Sequence, residues 1–335
     1  MKLNVTGLQK TAPQPVMDLS PATDGTYAHM GSKGGTELMM EGLKQRLPPE
    51  LLDQFNIICS RVRDGNISKT KPNILWLHDT WDDPESEHLK IDKLRKRFQK
   101  LVFVSNYQQA TFNIALGVPH AEGIVLQNAI EPIPEHKKER NSYGEIINLI
   151  YHTTPHRGLE LLVPAFEEVV KSTDKPLHLD VYSSFNAYGW PHRDEPYEKL
   201  FERCRNHPNI TYHGFQPNSV IREALQKAHI YAYPNIWPET SAISVIEAMS
   251  AGCTVVCPNH AALSETCANF ATMYGFHEEP SVHANIFANA LIYAIRNFWD
   301  EGNQNKLRFQ KAFFDNFYGW EMRAAQWKGL LQGML

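Results

Sequence analysis

Short apolar runs rich in valine, isoleucine, leucine and aromatic residues recur along this chain, separated by longer amphipathic stretches. In the first half they fall at Phe55–Ile58, Ile74–Leu77, Leu101–Val104 and Gly123–Leu126. The second half repeats the rhythm at Ile146–Tyr151, Leu177–Tyr182, Ile210–Tyr212, Ile230–Tyr233, Thr254–Cys257 and Ala271–Tyr274. Strands alternating with helices predict parallel sheets. The segment Pro132 to Asn141 is polar, charged and broken by prolines, so it reads as a connection between two halves. The expected architecture is α/β, with two Rossmann-like doubly wound domains facing a cleft: residues 1–132, a linker over 133–145, and residues 146–316. A helical run over 317–335 is expected to return to the first domain. Leu8 to Tyr27, with Pro13, Pro15 and Pro21, reads as a long loop and a candidate lid after a short first strand.

Composition narrows the class. The 335 residues suffice for two domains, and 42% hydrophobic with 21% charged residues is ordinary for a globular chain. A formal net charge of -4 gives a nucleic-acid partner no help from bulk electrostatics. The basic segment Lys90 to Lys100 reads as the solvated face of a helix. Five cysteines, Cys59, Cys204, Cys253, Cys257 and Cys267, are odd in number, and three lie in strand or helix contexts that suit buried thiols, which fits a reducing compartment. No apolar run approaches the roughly 20 residues that span a bilayer, and Met1 to Thr6 lacks the apolar core of a signal peptide, so a cytoplasmic location is expected.

The chemistry concentrates after the strand at Ile230. Glu239 and Glu247 are separated by seven residues, the first in a loop and the second on a helical run that ends at Gly252. Between them, around Ser241, lie the free amides of a helix N-terminus, which suit a phosphate. Carboxylates on both sides of an anion site match a sugar nucleotide, whose hydroxyls need acceptors and whose diphosphate needs donors. Gly34-Gly35-Thr36-Glu37 opens the helical run Leu38–Leu47 and allows close approach of a ligand. His78 ends a strand and is placed to exchange hydrogen bonds with a sugar hydroxyl. Asp82-Asp83-Pro84 reads as the cap of a following helix rather than a metal site. Arg157-Gly158 follows the first strand of the second domain, where a guanidinium can clamp a diphosphate. Of Trp81, Trp190 and Trp237, the last stands beside Glu239 and is the best placed to stack on a sugar. Each feature has a plainer account: an exposed helical glutamate, a tight turn, a structural histidine, a surface arginine.

Taken together, the residues resemble the family 4 retaining glycosyltransferases of the GT-B fold. The likeness rests on Tyr151-His152-Thr153-Thr154-Pro155-His156-Arg157-Gly158-Leu159, on His213-Gly214-Phe215, on Tyr233-Pro234 through Glu239 and Glu247, and on Ala248-Met249-Ser250-Ala251-Gly252 with Val255-Val256. In the first half it is thinner, resting on Gly34-Gly35-Thr36-Glu37, His78, Val104-Ser105-Asn106 and Gln127-Asn128-Ala129-Ile130. The resemblance implies that Glu247 accepts from the nucleotide ribose, Glu239 lies by the donor hexose, and the amides of Ala242 and Ile243 meet the diphosphate. It also implies that Arg157 replaces a usual lysine, that His152 stands where an arginine is common, that His78 lies near the donor sugar and that Gly35 lies by the phosphates. Thr240 and Ser241 replace a usual glycine and phenylalanine.

The reading that follows is a retaining, metal-independent hexosyl- or pentosyltransferase. It moves a sugar from a nucleoside diphosphate sugar to an acceptor hydroxyl, a glycan before other compounds, and needs no cofactor beyond that donor. Two alternatives remain: a sugar-nucleotide epimerase of the same fold, and a non-catalytic nucleotide-sugar-binding protein. A nicotinamide dehydrogenase is disfavoured because no GxGxxG follows an early strand.

Overall fold

The structure, a computed structural model, describes residues 34–134 and 146–335. The loop read at Leu8–Tyr27, the strand before it and most of the linker lie outside the described residues. Every apolar run noted above forms a strand: β1 Asn56–Cys59, β2 Asn73–Trp76, β3 Lys100–Phe103, β4 Gly123–Val125, β5 Ile147–Tyr151, β6 Leu177–Val181, β7 Ile210–Tyr212, β8 Ile230–Ala232, β9 Thr254–Pro258 and β10 Thr272–Tyr274. The longer helices among the described residues are α1 Gly35–Arg46, α2 Asn106–Leu116, α3 Leu159–Lys171, α4 Glu198–Asn206, α5 Asn218–Lys227, α6 Ile243–Ser250, α7 Pro280–Arg296, α8 Glu301–Phe317 and α9 Trp320–Gln332.

The strands form two parallel sheets, ordered β1-β2-β3-β4 and β10-β9-β8-β5-β6-β7. Alternate residues of the first sheet enter two cores. Ile74, Trp76, Val102 and Val104 join α1 and α9 on one face, while Leu75, Leu77, Leu101 and Phe103 join Phe112 and Leu116 of α2 on the other. Both faces are therefore covered, which is what a parallel sheet requires. The second sheet is enclosed in one larger core that includes α3, α6, α7 and part of α8.

Helix α9 lies on the first sheet: Trp327 and Leu331 are fully buried there, and the Trp327 ring is centred 4.7 Å from Trp76. Gly42 on α1 makes room for it, since a Cβ there would come within 2.1 Å of the Trp320 ring. The chain thus passes between the domains twice, and the two passages touch. The Ile130 amide donates to the Tyr318 carbonyl at 2.9 Å, and the Trp320 amide returns to the Ile130 carbonyl at 3.3 Å.

One expectation needs correction. The basic segment at 90–100 is not simply a solvated helical face: its helix covers only Asp92–Arg95, and Arg95 is buried. Its guanidinium donates to Glu122 at 2.5 Å, to the Leu89 carbonyl at 2.9 Å and to Asp92 at 3.0 Å, so one nominal surface cation locks the helix to the sheet edge. Lys93 and Lys96 are exposed.

Candidate active site

In the second sheet β5 lies between β6 and β8, so the connections run in opposite directions from this point. Ligands of open parallel sheets bind in the crevice outside the carboxyl ends of such strands. The loop leaving β5 turns through a short 3-10 helix at Pro155–Arg157, and the loop leaving β8 carries Pro234 to Glu239. Gly158 lets the two loops touch. It has φ +127°, and a Cβ there would lie 2.1 Å from the Pro234 carbonyl oxygen. No other residue type tolerates both conditions.

This contact sets Arg157 directly against Glu239. Arg157 Nη1 donates to Glu239 Oε1, Tyr233 Oη donates to the same oxygen at 2.5 Å, and Arg157 Nε donates to Thr154 Oγ1 at 3.2 Å. Glu239 is only 6% exposed. Burial alone would lower the arginine's pKa, but the Glu239 carboxylate outweighs it and holds the guanidinium charged, well above its usual range. Burial, then Glu239, pushes the Tyr233 phenol far up, so it remains a donor.

Helix α6 begins four residues after Glu239. Its cap residue, Ala242, offers no side-chain oxygen, so the first amides have no side-chain cap. Helix α1 of the facing domain also starts uncapped, at Gly34. The two ends nearly meet: a Cβ on Gly35 would stand 3.0 Å from Ile243 Cδ1. Two positive dipole ends therefore face one space, an arrangement that favours an anion. Thr240 Oγ1 adds a cross-domain bond to the His78 carbonyl at 2.7 Å.

The space between them is a cavity of about 1420 Å³, lined among others by Gly34, Gly35, His78, Arg157, Trp237, Glu239, Ser241 and Ile243. Pockets for single small ligands usually hold roughly 300–1,000 Å³, and this one is larger. Among the described residues, neither ring nitrogen of His78, at the end of β2, makes a hydrogen bond of full geometry. Burial pushes its pKa down to about 4, opposed by the Trp76 backbone, so the ring is neutral at ordinary pH.

With this geometry in view, comparison with known proteins is decisive. The profile described as "Glycosyl transferases group 1" matches residues 133–307, just over half of the 335 residues. The chain belongs to the group 1 glycosyltransferases. A search of curated proteins returns no match. Among solved structures, a glycosyltransferase from Rickettsia africae is similar over 89% of this chain and 80% of its own, at 15% identity and TM-score 0.65. HepE from Anabaena, in complex with UDP-glucose, is similar over 78% of this chain and 72% of its own, at 14% identity and TM-score 0.60. The pneumococcal O-GlcNAc transferase GtfA, with UDP and GlcNAc, is similar over 90% of this chain and 60% of its own, at 12% identity and TM-score 0.63. These likenesses show the GT-B fold, with its two Rossmann-like domains.

Within this glycosyltransferase, not every residue singled out in the sequence lines the cavity. Ala242 is buried beneath the helix start. His152 is buried against the Tyr231 ring, centred 4.5 Å away, and bonds to the Ser244 backbone; burial pushes its pKa down to about 3. It supports the α6 N-terminus as a neutral ring rather than supplying charge to the cavity. Glu247 is not among the lining residues; its carboxylate meets Asn218 and Arg222 of α5. His213 pairs with Asp180 at 2.7 Å and stacks on Tyr182, also outside the lining. Trp237 and Trp190 do line the cavity, whereas Trp81 does not. Asp83 caps the 3-10 helix after it, accepting from the Glu85 amide at 2.8 Å.

Other lining residues escaped the sequence reading. His156 stacks on Phe185 and meets Trp237 edge-on, with Nδ1 unpartnered; burial and then Arg157 push its pKa far down. Asn128 is buried with Oδ1 unpartnered, and the Tyr188 ring lies over Gly34. Asn128 had a faint signal in the Gln127-Asn128-Ala129-Ile130 likeness. His156 likewise stood in the Tyr151–Leu159 likeness without a role assigned to it, and for Tyr188 only the fold reveals the position.

Proposed function

We propose that this glycosyltransferase moves a sugar from a nucleoside diphosphate sugar to an acceptor hydroxyl with retention of configuration and without a metal. The observation that carries the reading is the buried Arg157–Glu239 pair at the switch point, opposite two uncapped helix N-termini. As the donor bond breaks, negative charge collects on the departing diphosphate. Arg157 and the amides at the start of α6 supply fixed positive charge there, a role a cation would otherwise fill.

Glu239 positions the donor sugar instead of attacking it. Its Oε1 is held by Arg157 and Tyr233, which lowers the carboxylate's reach and nucleophilicity. That supports attack of the acceptor on the same face, assisted by the leaving phosphate. His78, with its ring neutral, hydrogen-bonds a sugar hydroxyl. HepE and GtfA are both described with UDP, so UDP-sugars are the first donors to try. The acceptor is a glycan or another hydroxyl compound. Five cysteines, none of them in a disulfide among the described residues, support a reducing, cytoplasmic setting.

The test begins with a thermal-shift screen of UDP-, GDP-, ADP- and dTDP-sugars, since a ligand of the folded form raises the melting temperature. Donor hydrolysis by Glu239→Ala and Arg157→Ala should then fall by orders of magnitude. Unchanged rates in both variants would remove the mechanism. Epimerised sugar nucleotide in an NMR assay without acceptor would replace it with an isomerase.

A further inference from the structure

The Glu247 carboxylate is buried at 6% exposure, yet it is not isolated. Asn218 Nδ2 donates to its two oxygens at 3.2 and 3.4 Å, and Arg222 Nη1 donates to Oε1 at 3.3 Å. Both donors come from α5, one turn apart. The other end of the guanidinium points elsewhere: Arg222 Nη2 donates to the carbonyls of Glu131 and Pro132 at 3.0 and 3.2 Å. Those two residues belong to the segment that carries the chain out of the first domain.

We infer that Arg222 is a positioning residue for the donor nucleotide, holding the Glu247 carboxylate in place and ionised while tying it to the crossover segment at 131–132. The inference rests on the reading of Glu247 as the acceptor for the ribose hydroxyls.

The residue types fit this task. A buried carboxylate with no counter-charge takes up a proton rather than stay ionised. Burial does push the Glu247 pKa up, and Arg222 is the first of the groups opposing it, followed by Asn218. Among the described residues, Arg222 is the charged side chain paired with this carboxylate. A carboxylate offers about four lone-pair sites. The contacts described use some of them, leaving capacity for ribose hydroxyls. Charge-assisted hydrogen bonds are roughly twice as strong as neutral ones, so the ionised form grips a sugar diol better. A planar guanidinium serves a carboxylate on one edge and carbonyls on the other with fixed fork geometry.

The experiment compares UDP with 2′,3′-dideoxy-UDP by calorimetry at pH 8.0 and 6.5, substituting the GDP or ADP pair if either raises the melting temperature more than UDP. The wild type should prefer the ribose form at least about tenfold, the worth of a charge-assisted bond, and Glu247→Gln should abolish that preference. Arg222→Gln should shrink the preference severalfold, more at pH 6.5 than at pH 8.0, while binding of the dideoxy form is unchanged. The pH sign follows from the chemistry: without the guanidinium, Glu247 protonates at higher pH, so ribose recognition is lost as pH falls. If Glu247→Gln keeps the preference, the underlying ribose reading fails. If Glu247→Gln loses it and Arg222→Gln keeps it at both pH values, or weakens both ligands equally, the inference is overturned. Should Arg222→Gln not fold, Arg222→Met is measured in its place, and a full preference at both pH values overturns the inference equally.

Discussion

Glu265, in the second domain, accepts the backbone amide of Tyr107 in the first at 2.9 Å, and its other oxygen accepts the amide and the side chain of Asn106 at 2.9 and 2.8 Å. A carboxylate at a helix N-terminus is favoured both by free donors and by the helix dipole, and here it comes from another domain. Glu265→Ala should destabilise the folded protein by the worth of a cap, about 1 kcal/mol. Because Asn106 is exposed, high salt should narrow the gap between variant and wild type in thermal unfolding. A salt-independent gap would argue against an electrostatic cap.

The Arg157–Glu239 pair should couple strongly. Removing one partner of a buried pair leaves an uncompensated charge, at a cost of about 3–5 kcal/mol, and this site, open to the cavity on one side, belongs at the low end. The double variant Arg157→Met/Glu239→Gln should therefore be more stable than the sum of the two single changes predicts, by about 1–3 kcal/mol. Denaturant unfolding of all four proteins checks this; strict additivity would show that the pair contributes no coupling.

Acid sensitivity follows from two neutral histidines. Burial pushes the pKa of His78 down to about 4 and that of His152 to about 3, against 6.5 for the free ring. Between those values and 6.5 the unfolded chain binds protons that the folded one does not, so stability rises with pH. It should fall as pH drops from about 6.5 toward 4, by a few kcal/mol in all. His78→Gln and His152→Gln should each flatten the slope, and thermal melts from pH 7.5 to 4.5 measure it. In the enzyme assay no ionisation of His78 should appear above pH 5.

Gly42→Ala should destabilise despite alanine's better helix propensity, about 1 kcal/mol in its favour. The new methyl would press on the Trp320 ring, and overpacking of this kind costs about 1–3 kcal/mol. Gly65→Ala, with nothing within 4 Å of its Cβ, is the control. Equal melting temperatures for the two variants would contradict the packing of α9 on α1.

Gly158→Ala should abolish donor turnover while leaving a folded protein. The methyl would strike the Pro234 carbonyl and the residue would sit at a φ that side chains avoid, so the two loops must part and Arg157 leaves Glu239. Circular dichroism with donor hydrolysis on one preparation separates this from global unfolding.

Strand positions were legible because each apolar run is short, bounded by turn residues and followed by a helical stretch, as at Ile74–Leu77 and Ile230–Tyr233. The cavity residues Gly35, His78, Arg157 and Glu239 were legible because each stands at a strand's carboxyl end or a helix start. What sequence could not show was pairing across distance. Nothing local says that Arg157 and Glu239 pair, that Glu265 caps α2, or that Arg222 reaches Glu247. Nor does periodicity separate a solvated arginine from Arg95, whose neighbours arrive from Leu89 and Glu122. The position of His152 was legible, but its burial beneath Ser244 depends on tertiary packing.

The paired passages at Ile130 and Tyr318–Trp320 make the joint between the lobes a two-stranded ribbon rather than a single tether. A ribbon bends across its width and resists shear along its length. A swing of one lobe toward the other would leave its two rungs intact, whereas sliding the lobes past each other would snap both. The joint is therefore pinned at one point by two backbone bonds, beside the last helix of the chain.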